Sequence, residues 1–71
     1  MYYEEVILVK TFIAKNPKQL DLCLRLMYSE GVDFKVRVVQ TMKFKIVYQI
    51  DAWIDGDKAN ELERKYMILI S

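Results

Sequence analysis

The sequence predicts an α+β fold in the order β-α-β-β-α, with an optional last strand, and three observations carry that prediction. A capped amphipathic segment lies between Asn16 and Gly31. Two stretches of apolar-polar alternation follow it. A second amphipathic segment begins after Asp55-Gly56-Asp57. Elements in this order suit a ferredoxin-like sandwich, an antiparallel sheet with two helices on one face. At 71 residues the chain is expected to be a single domain spanning 1–71.

The first strand is expected over Val6 to Ile13, a β-branched and almost continuously apolar run that suits a strand covered on both faces better than an edge. Asn16-Pro17 then opens a helix. Asn is a favoured N-cap, and Pro at the first helical position gives up no needed hydrogen bond. Gln19 stands where a capping-box partner belongs. Leu20, Cys23, Leu24 and Met27 recur on one helix face, and Gly31 stands where a left-handed C-cap ends the helix near Glu30.

After Gly31 the period becomes two. Val32, Phe34, Val36 and Val38 share one side, followed by Phe44, Ile46, Tyr48, Ile50, Ala52 and Ile54. These stretches read as an antiparallel hairpin. A three-residue loop, Gln40 to Met42, would set Val38 opposite Phe44, Val36 opposite Ile46 and Arg37 opposite Lys45. Asp55-Gly56-Asp57 breaks the second strand, with Asp57 the expected N-cap of a helix whose face holds Ala59, Leu62, Tyr66, Leu69 and Ile70. Glu61 and Lys65 are spaced to pair one turn apart. Residues 66–70 are apolar enough to form a fourth strand in place of the last helical turn.

Composition narrows the chemistry. Eleven Lys and Arg against ten Asp and Glu leave a net charge of +1, so no global field draws the chain to nucleic acid or anionic lipid. The chain contains no histidine, the commonest general base and neutral metal ligand. Its one cysteine, Cys23, forms no internal disulfide, fits a reducing compartment, and sits among core positions. The two glycines, Gly31 and Gly56, build no phosphate loop. Asp55 and Asp57 lack the further oxygen ligands of a calcium loop and read as turn and cap. The expectation is a non-enzyme without cofactor or metal. The acidic start, Met1-Tyr2-Tyr3-Glu4-Glu5, lacks a basic leader region, and no apolar run reaches the ~18–20 residues that span a bilayer. A cytoplasmic protein with no membrane partner is therefore expected.

Two surface patterns are candidate sites. Leu22 and Leu26 lie off the main face of the first helix, and Met67 and Ile68 off that of the second. With 54% of residues apolar in so small a chain, they mark an interface with a protein partner or a second copy. Lys35, Arg37, Lys43 and Lys45 cluster on the hairpin, and Trp53 shares their outward parity, so a second function class is phosphate contact with base stacking on nucleic acid. Lysines that shield a strand edge give the same pattern.

Asn16 to Val36, with Gly31-Val32 directly after the helix, followed by Ile50-Asp51-Ala52-Trp53-Ile54, an acidic turn and Ala59, resembles the small signal-transducing domains of bacteria. Regulatory ACT-type domains share the element order. The resemblance covers most of the chain and implies a regulatory or protein-binding module without catalysis, such as a bacterial or phage-encoded regulator or inhibitor. A small-molecule-sensing domain is a further alternative on fold analogy.

Overall fold

The computed structural model describes residues 8–71. It contains β1 (Leu8–Ala14), α1 (Pro17–Glu30), β2 (Asp33–Gln40), β3 (Ile46–Ile54) and α2 (Gly56–Ile70). The three strands form one sheet in the order β1-β3-β2, and β3 is antiparallel to both neighbours. The α1 crossover therefore returns the chain with β2 parallel to β1, leaving a gap between them that β3 fills. The Val6 and Ile7 part of the expected first strand lies outside the described residues.

Local chemistry fixes both helices. The Asn16 side chain accepts a hydrogen bond from the Gln19 main-chain N–H at 2.8 Å, and the Gln19 side chain accepts one from the Lys15 N–H at 2.9 Å. Gly31 ends α1 at φ 65°, in the left-handed region that glycine enters without a Cβ penalty. The cap of α2 is Asp55, not Asp57: its carboxylate accepts from the Lys58 N–H at 2.7 Å. Asp57 lies in the first turn, where its charge complements the helix dipole. The optional fourth strand is not formed, because α2 continues through Ile70.

The even-numbered strand residues Phe12, Ala14, Ile50, Ala52 and Ile54 pack against Cys23 and Met27 of α1 and Ala59, Leu62 and Tyr66 of α2. Both helices thus cover the same sheet face. The odd-numbered residues form a face that no helix among the described residues covers, so β1 is not covered by helices on both sides as its composition suggested. It lies at the sheet edge, with Val9 and Ile13 exposed. Leu26 is also reassigned: it packs at the margin of the core beside Leu20 and Leu24, because α1 meets both sheet and α2 and buries a broad face. Leu22 is half-buried, whereas Met67 and Ile68 are exposed.

The hairpin has the expected parity but another register. Val38 lies opposite Tyr48, Val36 opposite Ile50 and Gln40 opposite Ile46. The turn sits two residues further along than expected. The Thr41 N–H donates to the Lys45 carbonyl at 2.8 Å, and the Phe44 N–H to the Thr41 carbonyl at 3.0 Å. Met42, Lys43 and Phe44 therefore form the three-residue loop, a tight turn followed by a left-handed residue.

Candidate functional site

The shifted register dismantles the expected cationic platform. Arg37 lies opposite Gln49, not Lys45, and its guanidinium pairs with Asp51 at 2.9 Å. Asp51 is only 8% exposed although it stands on the uncovered sheet face. It also accepts hydrogen bonds from the Thr11 hydroxyl at 2.8 Å and the Gln49 amide at 3.1 Å. Those two hydrogen bonds are the leading causes that lower its carboxyl below the usual aspartate range, with Arg37 adding to them. The network ties all three strands together across the open face. Trp53 stands at the far end of β3, between Val9 and Asp33 in the register. Lys35 is opposite Asp51, while Lys43 and Lys45 lie in or beside the turn. Of the five residues proposed for nucleic acid, Lys35, Arg37 and Trp53 thus share the uncovered sheet face, and Lys43 and Lys45 stand apart from them at the turn.

At the helix-capping end of the domain, Glu30 bridges Lys58 and Lys65 of α2, the latter at 2.5 Å, and Glu61 pairs with Lys65 at 3.0 Å, as its spacing predicts. Glu30 closes a helix whose last turn has no basic residue, so the α2 lysines supply the cations a helix C-terminus favours. Hydrogen bonds from Lys58 and Lys65 bring the Glu30 carboxyl down to about 2. Among the described residues no acidic and sulfur side chains gather into a metal-binding group. Cys23 is fully buried, and desolvation pushes its thiol up to about 11. A thiol held in that state is a core group, not a nucleophile.

The outer side of β1 is one of the two edges of the sheet. Only β3 flanks β1, so one row of its main-chain groups has no strand partner among the described residues. Beside that edge, α2 overhangs a groove of about 310 Å³ lined by Phe12, Ile13, Tyr66, Met67 and Ile70, with Lys10 and Lys15 at its margin. Tyr66 builds the groove. Its hydroxyl donates to the Ile13 carbonyl at 2.9 Å, and its ring meets Phe12 edge-on at 5.8 Å. Burial pushes the phenol up to about 12, so it stays a neutral donor. Lys10 pairs with Glu63 at 2.9 Å across the same gap. Met67, read from the sequence as an interface residue, lines this groove, and Ile68 is exposed beside it on α2. Groove and edge were not legible in the sequence, since nothing in the run Leu8 to Ala14 announces which of its edges lacks a neighbour.

The hairpin turn is a second unusual region. Phe44 has φ 59° and is 84% exposed; Met42 is 99% exposed. The left-handed conformation costs an L-residue ~1–2 kcal/mol, and a bulky residue there is an outlier. Burial returns nothing to offset the cost. No family model matches the chain, and neither a curated protein nor a solved structure matches it.

Proposed function

We propose that the protein is a non-catalytic interaction module of regulatory type that works by main-chain pairing along the outer edge of β1. The observation that carries this reading is that β1 edge, which no described strand pairs, beside the apolar groove under α2. Placing β3 between parallel β1 and β2 is the arrangement of a split β-α-β unit. In a four-stranded ferredoxin-like sandwich, a further strand lies alongside the position of β1. We read the described part of the chain as a three-stranded relative of that fold, with a strand supplied by a partner taking the place beside β1 that no described strand fills.

A second copy is the partner that β1 suits. In an antiparallel pair centred on Thr11, Val9 of each copy lies opposite Ile13 of the other and the two threonines face each other. Apolar and Thr–Thr pairs of this kind favour a ladder. Lys10, the one charge on the strand, is already matched by Glu63. The β2 edge lacks this property: self-pairing about Val36 would set Lys35 of each copy against Arg37 of the other, and facing like charges destabilise a ladder. The missing histidine and the sealed Cys23 favour binding over catalysis.

Sedimentation of the full chain at micromolar concentration tests this reading. The wild type is expected to sediment as a dimer. Val9→Lys with Ile13→Lys places two cations on the open-face side of the edge, and should give a monomer with unchanged far-UV circular dichroism. A wild-type chain that stays monomeric at every accessible concentration would refute pairing through β1.

A further inference from the structure

The β2–β3 hairpin reaches past the rest of the domain. β1 accompanies β3 only from Tyr48 to Ile54, so the pairs Val39–Val47 and Gln40–Ile46 have no third strand beside them. An isolated two-stranded ribbon is marginal in water, yet this one carries exposed Val38, Ile46, Met42 and Phe44. Phe44 is the sharpest anomaly. The third position of this turn suits Gly or Asn, and a phenylalanine there adds strain without gaining cover. A local rule broken with no folding benefit marks a residue kept for something outside the fold.

The charge pattern identifies the class of partner. From Phe34 to Ile50 the chain contains four cations and no acid. Arg37 is engaged by Asp51, whereas Lys43 and Lys45 flank Phe44 without an acidic partner among the described residues. The tip is thus a convex apolar plug between two free cations, complementary to an anionic surface with an apolar layer beneath it. We propose that this arm docks on an anionic phospholipid bilayer, with Met42 and Phe44 entering the boundary between headgroups and acyl chains. Lys43 and Lys45 then meet the lipid phosphates. Two features favour lipid over nucleic acid. The exposed apolar side chains of the arm besides Phe44 are the aliphatic Val38 and Ile46 and the thioether Met42, which suit hydrocarbon better than base stacking, and Trp53 lies at the opposite end of β3. The groove under α2 in a second copy offers no net anionic charge to the two lysines, because Glu63 in its lining is paired with Lys10 and Lys15 adds a further cation. The absence of a spanning segment does not bear on such a contact, which rests on the surface and crosses nothing.

Vesicle flotation with the full-length chain tests the proposal. Vesicles of phosphatidylcholine with phosphatidylserine should carry the protein upward, and vesicles of phosphatidylcholine alone should carry far less. Lys43→Glu with Lys45→Glu should weaken binding to the anionic vesicles by at least about fivefold per lysine. Phe44→Gly, which suits the turn, should lose binding while the circular dichroism spectrum is retained. Three outcomes would overturn the inference: no flotation with anionic vesicles, flotation that survives Phe44→Gly, or binding to a single-stranded or duplex oligonucleotide at physiological salt in place of flotation.

Discussion

The two halves of the β2–β3 hairpin obey different rules. In the half within the domain body, Phe34 and Val36 on β2 and Ile50 and Ala52 on β3 turn inward against the helices, and each residue's alternation agrees with its burial. In the arm beyond Val38 the alternation breaks, with apolar Val39 and polar Gln40 at the wrong parities, and no helix among the described residues covers it. Ile46 keeps the inward parity of Ile50 while remaining exposed, and Phe44, in the turn, is exposed beside it. In the body half of the hairpin the inward apolar residues contribute to the core, whereas the arm carries exposed apolar residues that add nothing to it. Apolar residues thus have a folding cause in one half and need an external cause in the other.

The strongest test of this contrast is truncation in each half. Met27 is fully buried under the sheet, so Met27→Ala removes transfer energy and leaves a cavity, a loss of ~2–5 kcal/mol. That is comparable to the ~3–5 kcal/mol a core of this size supplies, and the variant should be largely unfolded by circular dichroism. Ile46→Ala in the arm should alter stability by no more than ~0.5 kcal/mol in urea titrations. Equal costs for the two changes would mean that the arm belongs to the core.

The same division explains what the sequence disclosed. Capping residues act locally, so Asn16-Pro17 and Gly31 located α1 to the residue, and the spacing of Glu61 and Lys65 gave their ion pair. Register was less accessible. Val38 has the same parity as both Phe44 and Tyr48, so pairings that differ by an even number of residues keep every side chain on its face. The turn residues Thr41 to Phe44 include none of the Gly, Pro, Asn or Asp that would have chosen among them. The placement of Arg37 depended on that choice, and with it the supposed clash with Lys45. The open edge of β1 and the burial of Leu26 depend on which elements become neighbours, which no local pattern encodes.

A smaller effect of opposite sign is expected at the turn. Phe44→Gly relieves the left-handed strain but adds freedom to the unfolded chain, and the balance should raise stability by up to ~1 kcal/mol. A higher melting temperature together with lost vesicle binding would separate the two causes proposed for the arm. A lower melting temperature would mean that the phenylalanine ring supports the fold after all.

The subtlest contrast lies in pH. Glu30 in the body is held by Lys58 and Lys65 at about 2, well below its ordinary value of 4.5. Because the folded value is the lower one, its contribution is complete above the ordinary value and fades as pH falls through 4.5 toward 2. Glu30→Gln should therefore lower the melting temperature at neutral pH, and the gap from wild type should narrow across that acid window. The wild type will keep some acid dependence of its own, because the Asp51 and Glu61 carboxyls are also lowered. The difference between the paired curves reports Glu30 together with its coupling to Glu61, which shares Lys58 and Lys65. In the arm, Lys43 and Lys45 have no acidic partner among the described residues, so the increment from Phe44→Gly should stay constant over the same window. An arm increment that changes with pH would expose an acidic contact to the hairpin and weaken its separation from the body.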